Sequence, residues 1–254
     1  MSLFRAEDIA IRFGGIRAVD AVSFDVNEGE VFSIIGPNGA GKTTIFNLIS
    51  RIYTPTSGRL VFQDQDITTL PPYRIAGLGI ARTFQNIELF ANATLLENLL
   101  IGRHCHSAVG IVSQLLFLPA VRRAELKHRE KVEEVIAFLG LERYRDTLIA
   151  NLPYGVRKVV ELGRALCVEP KLLLLDEPSS GLNVEETEGM GYWIEDIKKD
   201  LGITVIMVEH DMNLVRAVSD RVMALNYGKV IALGTPDEVQ NHPEVVRAYI
   251  GGEA

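Results

Sequence analysis

The fold is decided by one stretch of sequence, Gly36-Pro37-Asn38-Gly39-Ala40-Gly41-Lys42-Thr43-Thr44. It completes the pattern G-x-x-x-x-G-K-[ST]. The apolar run from Val31 to Ile35 precedes it and predicts a buried strand, while apolar residues at helical spacing follow it from Ile45 to Ile52. The loop is therefore predicted to join a strand to a helix in an α/β fold.

The residue types in this loop suit the binding of phosphate. Glycines let the backbone curl so that successive N–H groups point at a phosphate, and the start of the helix adds the positive end of its dipole. Lys42 is placed to reach the β- and γ-phosphates of a nucleotide, and the Thr43 hydroxyl is placed to bind Mg²⁺. The alternative is a glycine turn that binds nothing, and the strand and helix on either side argue against it.

The overall composition excludes several classes of protein. With 254 residues, 47% hydrophobic and 23% charged, the chain can bury a core as one large domain or as a domain carrying a subdomain. A net charge of −7 leaves no broad basic face, so nucleic acid is not expected as a partner. Two cysteines cannot build a disulfide framework and no signal peptide opens the chain, so we expect a reducing, cytosolic location.

The pattern of apolar residues changes along the chain. Alternation from Phe4 to Val26, with a turn at Gly14-Gly15, predicts a hairpin before the glycine loop, and a second short hairpin is predicted to turn at Asp64-Gln65. Helical periodicity then dominates residues 86–157. The apolar stretch 108–121 is shorter than the ~20 residues of a membrane span. We expect a helical insertion into an α/β core.

Two acidic residues follow a run of four leucines. Leu172 to Leu175 predicts a strand buried on both faces, as in a parallel sheet, and Asp176-Glu177 follows at its carboxyl end. Ligands of open α/β sheets bind at this edge. Asp176 is placed to hold Mg²⁺ and Glu177 to polarise a water toward a γ-phosphate. The alternative is a strand that ends in a polar turn.

Three further residues are candidates with an open alternative. Phe13, at the end of a predicted strand, either stacks on a purine or packs as an edge phenylalanine. Gln85 follows the predicted strand Ile80–Phe84 and could present a metal or water ligand. His210 follows the buried strand 203–208 and either is structural or contacts a γ-phosphate.

In this order the motifs make the chain resemble, over essentially its whole length, the ATP-binding subunit of an ATP-binding-cassette (ABC) transporter. The resemblance implies that Walker B runs from Leu172 to Asp176, that Gln85 is the Q-loop glutamine and that His210 is the switch histidine. It implies a P-loop NTPase (RecA-like) core with an antiparallel β-subdomain in residues 1–85 and 158–254. Residues 86–157 would form the inserted helical subdomain.

The resemblance also implies the site residues for ATP and Mg²⁺. The implied nucleotide-binding residues are Phe13, Gly36, Pro37, Asn38, Gly39, Ala40, Gly41, Lys42, Thr43 and Thr44. The implied ligands of Mg²⁺ are Thr43, Gln85 and Asp176. The implied catalytic residues are Glu177, His210, Gln85 and Lys42.

More narrowly, the chain looks like the ATPases of branched-chain amino-acid importers. This resemblance rests on Arg82–Asn86, Glu97–Leu100, the block 102–131, Gly181–Asn183 and the tail Ala248–Gly251. It implies uptake of branched-chain amino acids or a related small polar solute through separate transmembrane permease subunits, with a solute-binding protein as an indirect partner and the ATPase on the cytoplasmic face of the membrane. The alternative is a soluble, non-transport ABC ATPase acting as a clamp or remodelling factor.

Two family motifs depart from their usual form. One is the D-loop, where Asn183 takes the position of the aspartate, a departure that this branch often shows. The signature Leu-Ser-Gly-Gly-Gln falls on Leu152, Pro153, Tyr154, Gly155 and Val156. Proline supplies neither a hydroxyl nor a backbone N–H, and valine cannot hydrogen-bond as glutamine does. Family architecture places the signature against the nucleotide of a second ATPase subunit. A heterodimer with a different ATPase is therefore favoured, and a homodimer is possible.

Overall fold

The strand that leads into the glycine loop lies inside a six-stranded sheet. The computed structural model of the protein describes residues 1–84, 86–106 and 119–250. The strands of this sheet are, in spatial order, β10 (Lys229–Gly234), β9 (Arg221–Asn226), β3 (Val31–Ile35), β8 (Thr204–Val208), β7 (Leu172–Asp176) and β6 (Ile80–Arg82). The strands from β9 to β6 run parallel, and β10 is antiparallel to β9.

Burial of this sheet matches the apolar runs in the sequence. Every residue of β3, β7 and β8 is buried, as is usual for parallel strands covered on both faces. The buried strands predicted before the glycine loop and before Asp176 are confirmed.

A four-stranded antiparallel sheet forms the β-subdomain. Its strands are, in spatial order, β2 (Ile16–Asn27), β1 (Ser2–Phe13), β4 (Ser57–Phe62) and β5 (Gln65–Asp66). The predicted first hairpin is confirmed. The second turns at Gln63-Asp64, one residue earlier than predicted, because these two residues take the left-handed backbone (φ 48° and 59°) that a type I′ turn requires.

The helices follow the apolar periodicity of the sequence. In chain order they are α1 (Lys42–Ile49), α2 (Tyr73–Gly77), α3 (Leu95–Gly102), α4 (Pro119–Phe138), α5 (Tyr154–Leu166), α6 (Val184–Lys199), α7 (Met212–Val218), α8 (Pro236–Gln240) and α9 (Pro243–Ile250). Helices α3, α6 and α8 each begin with a capping box, in which the cap side chain and a glutamate bond each other's backbone N–H.

The described residues form two compact units, one within the ranges 1–85 and 171–254 and the other within the range 86–170. The sequence predicted that the helical subdomain ends at Arg157. In the structure the second unit extends to Pro170. The reason lies in the packing of α5, since a side chain built at Gly163 would meet Leu99 and Leu139 of the helical unit. The helix that follows the signature segment thus belongs to the helical unit.

Two further boundaries differ from the prediction. Strand β6 ends at Arg82 and not at Phe84, although the N–H of Thr83 still donates to the carbonyl of Leu174. The sequence Asn151-Leu152-Pro153 predicts the start of a helix capped by Asn151 or a neighbour, whereas α5 begins at Tyr154 with Pro153 at its N-cap and no side-chain cap. Asn151 closes a short 3₁₀ turn, and extended backbone separates it from the helix.

No helix in residues 1–84, 86–106 or 119–250 is long and apolar enough to cross a membrane.

The contact between α3 and α5 predicts the effect of one substitution. A Cβ at Gly102 would come within 2.9 Å of the Cβ of Cys167 and would also meet the carbonyl oxygen of Arg164. Gly102→Ala should therefore lower the free energy of unfolding by about 1–3 kcal/mol. The matched control is Gly189→Ala in α6, where a Cβ meets nothing within 4 Å. It should raise the free energy of unfolding by about 0.5–1 kcal/mol, since alanine favours helix.

Urea denaturation followed by circular dichroism measures both variants. Equal effects of the two substitutions would contradict the close approach of α3 and α5.

Candidate nucleotide-binding site

The loop between β3 and α1 is shaped by glycines that no other residue could replace. Gly36 (φ 150°) and Gly41 (φ 106°) have backbone conformations that L side chains rarely adopt. A Cβ at Gly41 would lie 2.6 Å from the carbonyl oxygen of Ala18, and one at Gly36 would collide with the carbonyl of Leu225. The loop therefore keeps its backbone exposed at the start of α1, where N–H groups and the helix dipole attract anions.

A turn from the far end of the chain braces this loop. The N–H of Gly228, in the turn between β9 and β10, donates to the carbonyl of Ala40 at 2.9 Å, and its carbonyl accepts from the N–H of Asp20 at 2.9 Å. A Cβ at Gly228 would lie 2.7 Å from the carbonyl oxygen of Ala18. The sequence predicts a closing hairpin that turns at Tyr227-Gly228, and the structure confirms it, with positive φ at both positions. The contact of this turn with the glycine loop was not predicted.

Lys42 reaches back across the loop. Its buried ammonium donates to the carbonyl of Gly36 at 2.6 Å and to that of Pro37 at 3.1 Å. Burial lowers the pKa of Lys42, and the carboxylates of Glu177 and Asp176 act in the opposite direction. The cation is thus held over the loop by carbonyl dipoles, in a place where a phosphate would compensate its charge.

The other loop residues differ in exposure. Asn38, Gly39 and Thr43 are exposed, and Pro37 and Thr44 are half-buried. The Thr43 side chain is thus open to solvent in the first turn of α1. The predicted loop residues accordingly form one continuous surface from β3 into that turn.

Asp176 lies at the carboxyl end of β7 and is paired with a residue that the sequence analysis did not single out. The side chain of Asp176 is 3% exposed, and its Oδ2 lies 2.7 Å from a guanidinium nitrogen of Arg82. Arg82 also donates to Oδ1 of Asn47 on α1 at 2.7 Å and to Oγ of Ser50 at the C-cap of α1 at 3.0 Å. This arginine therefore ties the acidic end of β7 to the helix that follows the glycine loop.

The guanidinium of Arg82 lies close to two aromatic rings. Its central carbon is 5.6 Å from the ring centre of Phe46 and 5.5 Å from that of Phe84, within the range of cation–π attraction. Among the described residues its buried Nε has no hydrogen-bond partner. Removing either member of a buried ion pair of this kind costs about 3–5 kcal/mol, because it leaves an uncompensated charge. Gln85, which follows Phe84, lies outside the described residues.

Glu177 is held in a strained backbone conformation. Its φ of 49° is left-handed, which costs a non-glycine residue about 1–2 kcal/mol. The surrounding turn maintains it, since the N–H of Glu177 donates to the carbonyl of Val208 at 2.9 Å and its carbonyl accepts from Ser180 at 3.1 Å. Backbone strain of this type is found at active sites, where the surrounding structure maintains it.

The structure brings Glu177 together with the predicted histidine. Oε2 of Glu177 lies 4.0 Å from Nδ1 of His210, and the His210 side chain is 60% exposed. An exposed imidazole at the edge of a sheet is available to a ligand. These two side chains and Lys42 face the same end of the parallel strands.

Phe13 ends β1 with 44% of its surface exposed. Its ring contacts Tyr53 edge-on, with centroids 5.1 Å apart and an angle of 67° between the planes. Both of the interpretations drawn from the sequence remain compatible with this position. Phe13 and Tyr53 lie in the first of the two compact units, which also contains the glycine loop.

The signature segment lies in the helical unit. Leu152 is buried, Pro153 and Tyr154 are exposed, and Gly155 and Val156 are half-buried in the first turn of α5. Pro153 has φ −56° and ψ 153° at the N-cap, a conformation natural to proline. The segment therefore presents Pro153 and Tyr154 to solvent at the start of a helix.

Two family models match the chain. The model described as "ABC transporter" matches residues 19–180, which includes the glycine loop, the end of β7 and the signature segment. The model described as "Branched-chain amino acid ATP-binding cassette transporter" matches residues 229–254, from β10 to the end of the chain.

Curated relatives match along nearly the whole chain. The high-affinity branched-chain amino acid transport ATP-binding protein LivG is 39% identical in Salmonella typhimurium and in Escherichia coli K12, over 98% of this chain and 98% of each relative. The corresponding protein BraF of Pseudomonas aeruginosa is 37% identical over the same shares of both chains.

Solved structures give the same result. A nucleotide-free ATP-binding cassette from an ABC transporter matches with a TM-score of 0.86 and 34% identity, covering 99% of this chain and 100% of that one. The ADP conformation of MJ1267, an ATP-binding cassette of an ABC transporter, matches with a TM-score of 0.87 and 35% identity over 99% of both chains. The dimeric, post-hydrolysis MJ0796 bound to ADP and Pi matches with a TM-score of 0.74 and 25% identity, over 92% of this chain and 98% of that one.

The glycine loop with Lys42, the buried acid at the end of β7 and the strained glutamate next to an exposed histidine lie within a chain that matches ATP-binding cassettes over nearly its whole length. The chain belongs to the ABC transporter family of ATP-hydrolysing cassettes, in the branch of the branched-chain amino-acid transport ATPases.

Proposed function

We propose that this chain is the ATP-hydrolysing subunit of an importer that takes up branched-chain amino acids or a related small polar solute. The observation that carries the proposal is the joint arrangement of Lys42 over the glycine loop and of Glu177 beside His210, in a chain that matches LivG and BraF from end to end. The transported solute would be selected by a solute-binding protein and by permease subunits.

The nucleotide would be held by the first unit. The glycine loop Gly36 to Thr44 surrounds the phosphates with backbone N–H groups, and Lys42 supplies the positive charge. Phe13 offers an exposed ring at the end of β1 on which adenine could stack. These contacts bind the substrate, and they involve no residue of the helical unit.

The residues present fit a magnesium ion. Mg²⁺ prefers oxygen ligands and binds with the phosphates of its nucleotide through one or two carboxylates. Asp176 has one oxygen engaged by Arg82 and a second to offer, and Thr43 has an exposed hydroxyl at the start of α1. Gln85 is the third proposed ligand. When bound, the ion would neutralise charge on the β- and γ-phosphates.

Hydrolysis would depend on the Glu177–His210 pair. Glu177 orients a water toward the γ-phosphate, and His210 contacts that phosphate from the neighbouring loop. Lys42 and Gln85 stabilise the charge that develops on the transferred group. Catalysis of this type is mostly positioning, which accounts for the rigid, strained backbone at Glu177.

The transporter would contain two ATPases with unequal sites. In the family architecture each signature completes the site of the other subunit, so Pro153 and Val156 weaken the partner's site and leave the site of this chain intact. We propose a heterodimer bound to the permease at the cytoplasmic face of the membrane. A different ATPase would then supply the full signature opposite Lys42.

Replacing Glu177 should separate ATP binding from hydrolysis. Glu177→Gln keeps the size of the side chain but not its charge, so ATP affinity should persist while turnover falls by about 10²- to 10⁴-fold. The measurements are equilibrium binding of a fluorescent ATP analogue and phosphate release by the transporter isolated through a tag on this chain. Glu188→Gln, the same change at an exposed position of α6, is the control. Unchanged turnover in Glu177→Gln would remove Glu177 from catalysis.

Replacing Lys42 should weaken ATP binding itself. Lys42→Ala removes a charge-assisted contact with phosphate, and the dissociation constant for ATP should rise about tenfold or more. Lys199→Ala removes the same charge from the exposed end of α6, where the lysine pairs with Glu195, and should leave the affinity unchanged. Equal affinities of the two variants would contradict the phosphate-binding role of Lys42.

The chain alone should bind ATP but hydrolyse it slowly. A homodimer would have the altered signature at both sites, so its turnover should stay low as protein concentration rises, with or without Mg²⁺. The double variant Pro153→Ser with Val156→Gln restores the missing groups and should raise this turnover. The serine would also cap α5, which now lacks a side-chain cap.

Brisk turnover of the unaltered chain, rising faster than linearly with protein concentration, would contradict the heterodimer proposal. Pro153→Ala restores the backbone N–H without the hydroxyl and separates the two contributions.

A further inference from the structure

Glu209 is a fully buried carboxylate (0% exposed) at the first position after β8, next to His210. The proposed hydrolysis gives it no role. A buried carboxylate is costly to desolvate and is retained only where several hydrogen bonds compensate for the lost water. Its contacts therefore indicate what it does.

The contacts of Glu209 join two loops. Oε1 accepts a hydrogen bond from the N–H of Ser179 at 2.8 Å, on the turn that follows β7. Oε2 accepts from the N–H of His210 at 2.8 Å and from that of Asp211 at 3.1 Å, on the turn that follows β8. Oε2 also lies 3.7 Å from Nδ1 of His210. One side chain thus fixes the backbone of both turns.

These two turns carry Glu177 and His210. Ser179 lies two residues after Glu177, and the carbonyl of Glu177 accepts from Ser180 within the same turn. The turn is held to β8 at one end by the bond from the Glu177 N–H to Val208, and at the other by Glu209. The left-handed backbone of Glu177 lies between these two attachments.

We infer that Glu209 is a positioning residue for ATP hydrolysis, which holds the turn of Glu177 and the turn of His210 at the separation that their joint action requires. This inference rests on the roles proposed for Glu177 and His210. Glu209 makes none of its side-chain bonds to the glycine loop, which follows a different strand. Its loss should therefore slow the chemical step and leave ATP affinity unchanged.

The chemistry of the site makes glutamine a poor replacement. Among the residues that the structure describes, three groups bond the Glu209 side chain, and all three are N–H donors, so both of its oxygens act as acceptors. A glutamine has one acceptor oxygen and one NH₂ donor. In either orientation its NH₂ would face an N–H group, and the link between the two turns would break. An isosteric substitution is thus sufficient to test the inference.

Glu30 supplies a matched control. Glu30 is also a buried carboxylate, and it accepts a hydrogen bond from the backbone N–H of Asn27 at 2.9 Å. It immediately precedes β3 and so lies at the amino end of the parallel strands, opposite the end that carries Glu177 and His210. It pairs with Arg221 at 3.2 Å. Glu30→Gln should disturb a buried carboxylate to a similar degree without reaching either turn.

The experiment compares Glu209→Gln and Glu30→Gln in the transporter isolated from host membranes through a tag on this chain. Equilibrium binding of a fluorescent ATP analogue gives the affinity, and phosphate release gives kcat and KM. In Glu209→Gln, kcat should fall on the order of 100-fold, the effect of misplacing reacting groups by about 1 Å. The ATP affinity and KM of Glu209→Gln should stay within about twofold of the wild-type values. In Glu30→Gln the ATP affinity, kcat and KM should all stay within that range.

Three results would overturn the inference. The first is wild-type kcat in Glu209→Gln. The second is a parallel loss of affinity and kcat in Glu209→Gln, which would indicate a structural role only. The third is an equal loss of kcat in Glu30→Gln. Glu177→Gln and His210→Ala are measured alongside, and full turnover in both would show instead that the roles proposed for these two residues are wrong.

If Glu209→Gln does not assemble, Glu209→Asp takes its place. Aspartate keeps the charge and both acceptor oxygens but is one methylene shorter, so it cannot reach both turns. An intermediate loss of kcat with unchanged ATP affinity is expected, and wild-type kcat would overturn the inference.

Discussion

The register of three parallel strands is the constraint on which this site depends. Strand β8 pairs Val208 with Ile34 of β3 on one side and with Asp176 of β7 on the other. The three strands therefore end in one row, and the loops that follow them emerge at the same edge of the sheet, where ligands of open α/β sheets bind. A slip of one residue would move Asp176 by about 3.3 Å and separate it from Arg82.

The buried charges at this edge are compensated in three different ways. Asp176 has a cation, Glu209 has backbone N–H groups, and Lys42 has carbonyl oxygens. Only the first pair brings opposite formal charges into contact. Lys42 remains a cation near dipoles, with its pKa lowered by burial, and so gains most from an incoming phosphate. Burial of Lys42 is unfavourable for the charged ammonium, and the same low-dielectric surroundings strengthen its attraction for a phosphate.

What the sequence could predict depended on how local the physical cause was. The glycine loop and the buried strands were predictable, because the spacing of glycines and the runs of apolar residues are properties of short segments. The bond of Arg82 to Asp176 and that of Glu209 to Ser179 were missed, because these partners lie 94 and 30 residues away along the chain. The end of the helical unit was misplaced for the same reason, since Gly163 packs on Leu99 and Leu139. The site residues named from family resemblance remain a prediction.

The signature segment can depart from the family pattern because the fold of this chain constrains it less than it constrains the glycine loop. Gly36, Gly41 and Gly228 are fixed by collisions with neighbouring carbonyls, so a change there would disrupt the loop itself. Pro153 faces no such constraint, because the N-cap of α5 has the φ that proline prefers and an N–H there has no intrahelical partner to lose. Substituting this position costs the fold of the chain little. Its cost falls on the contact proposed with a partner's nucleotide, and a transporter with two unequal ATPases can tolerate that loss at one of its two sites.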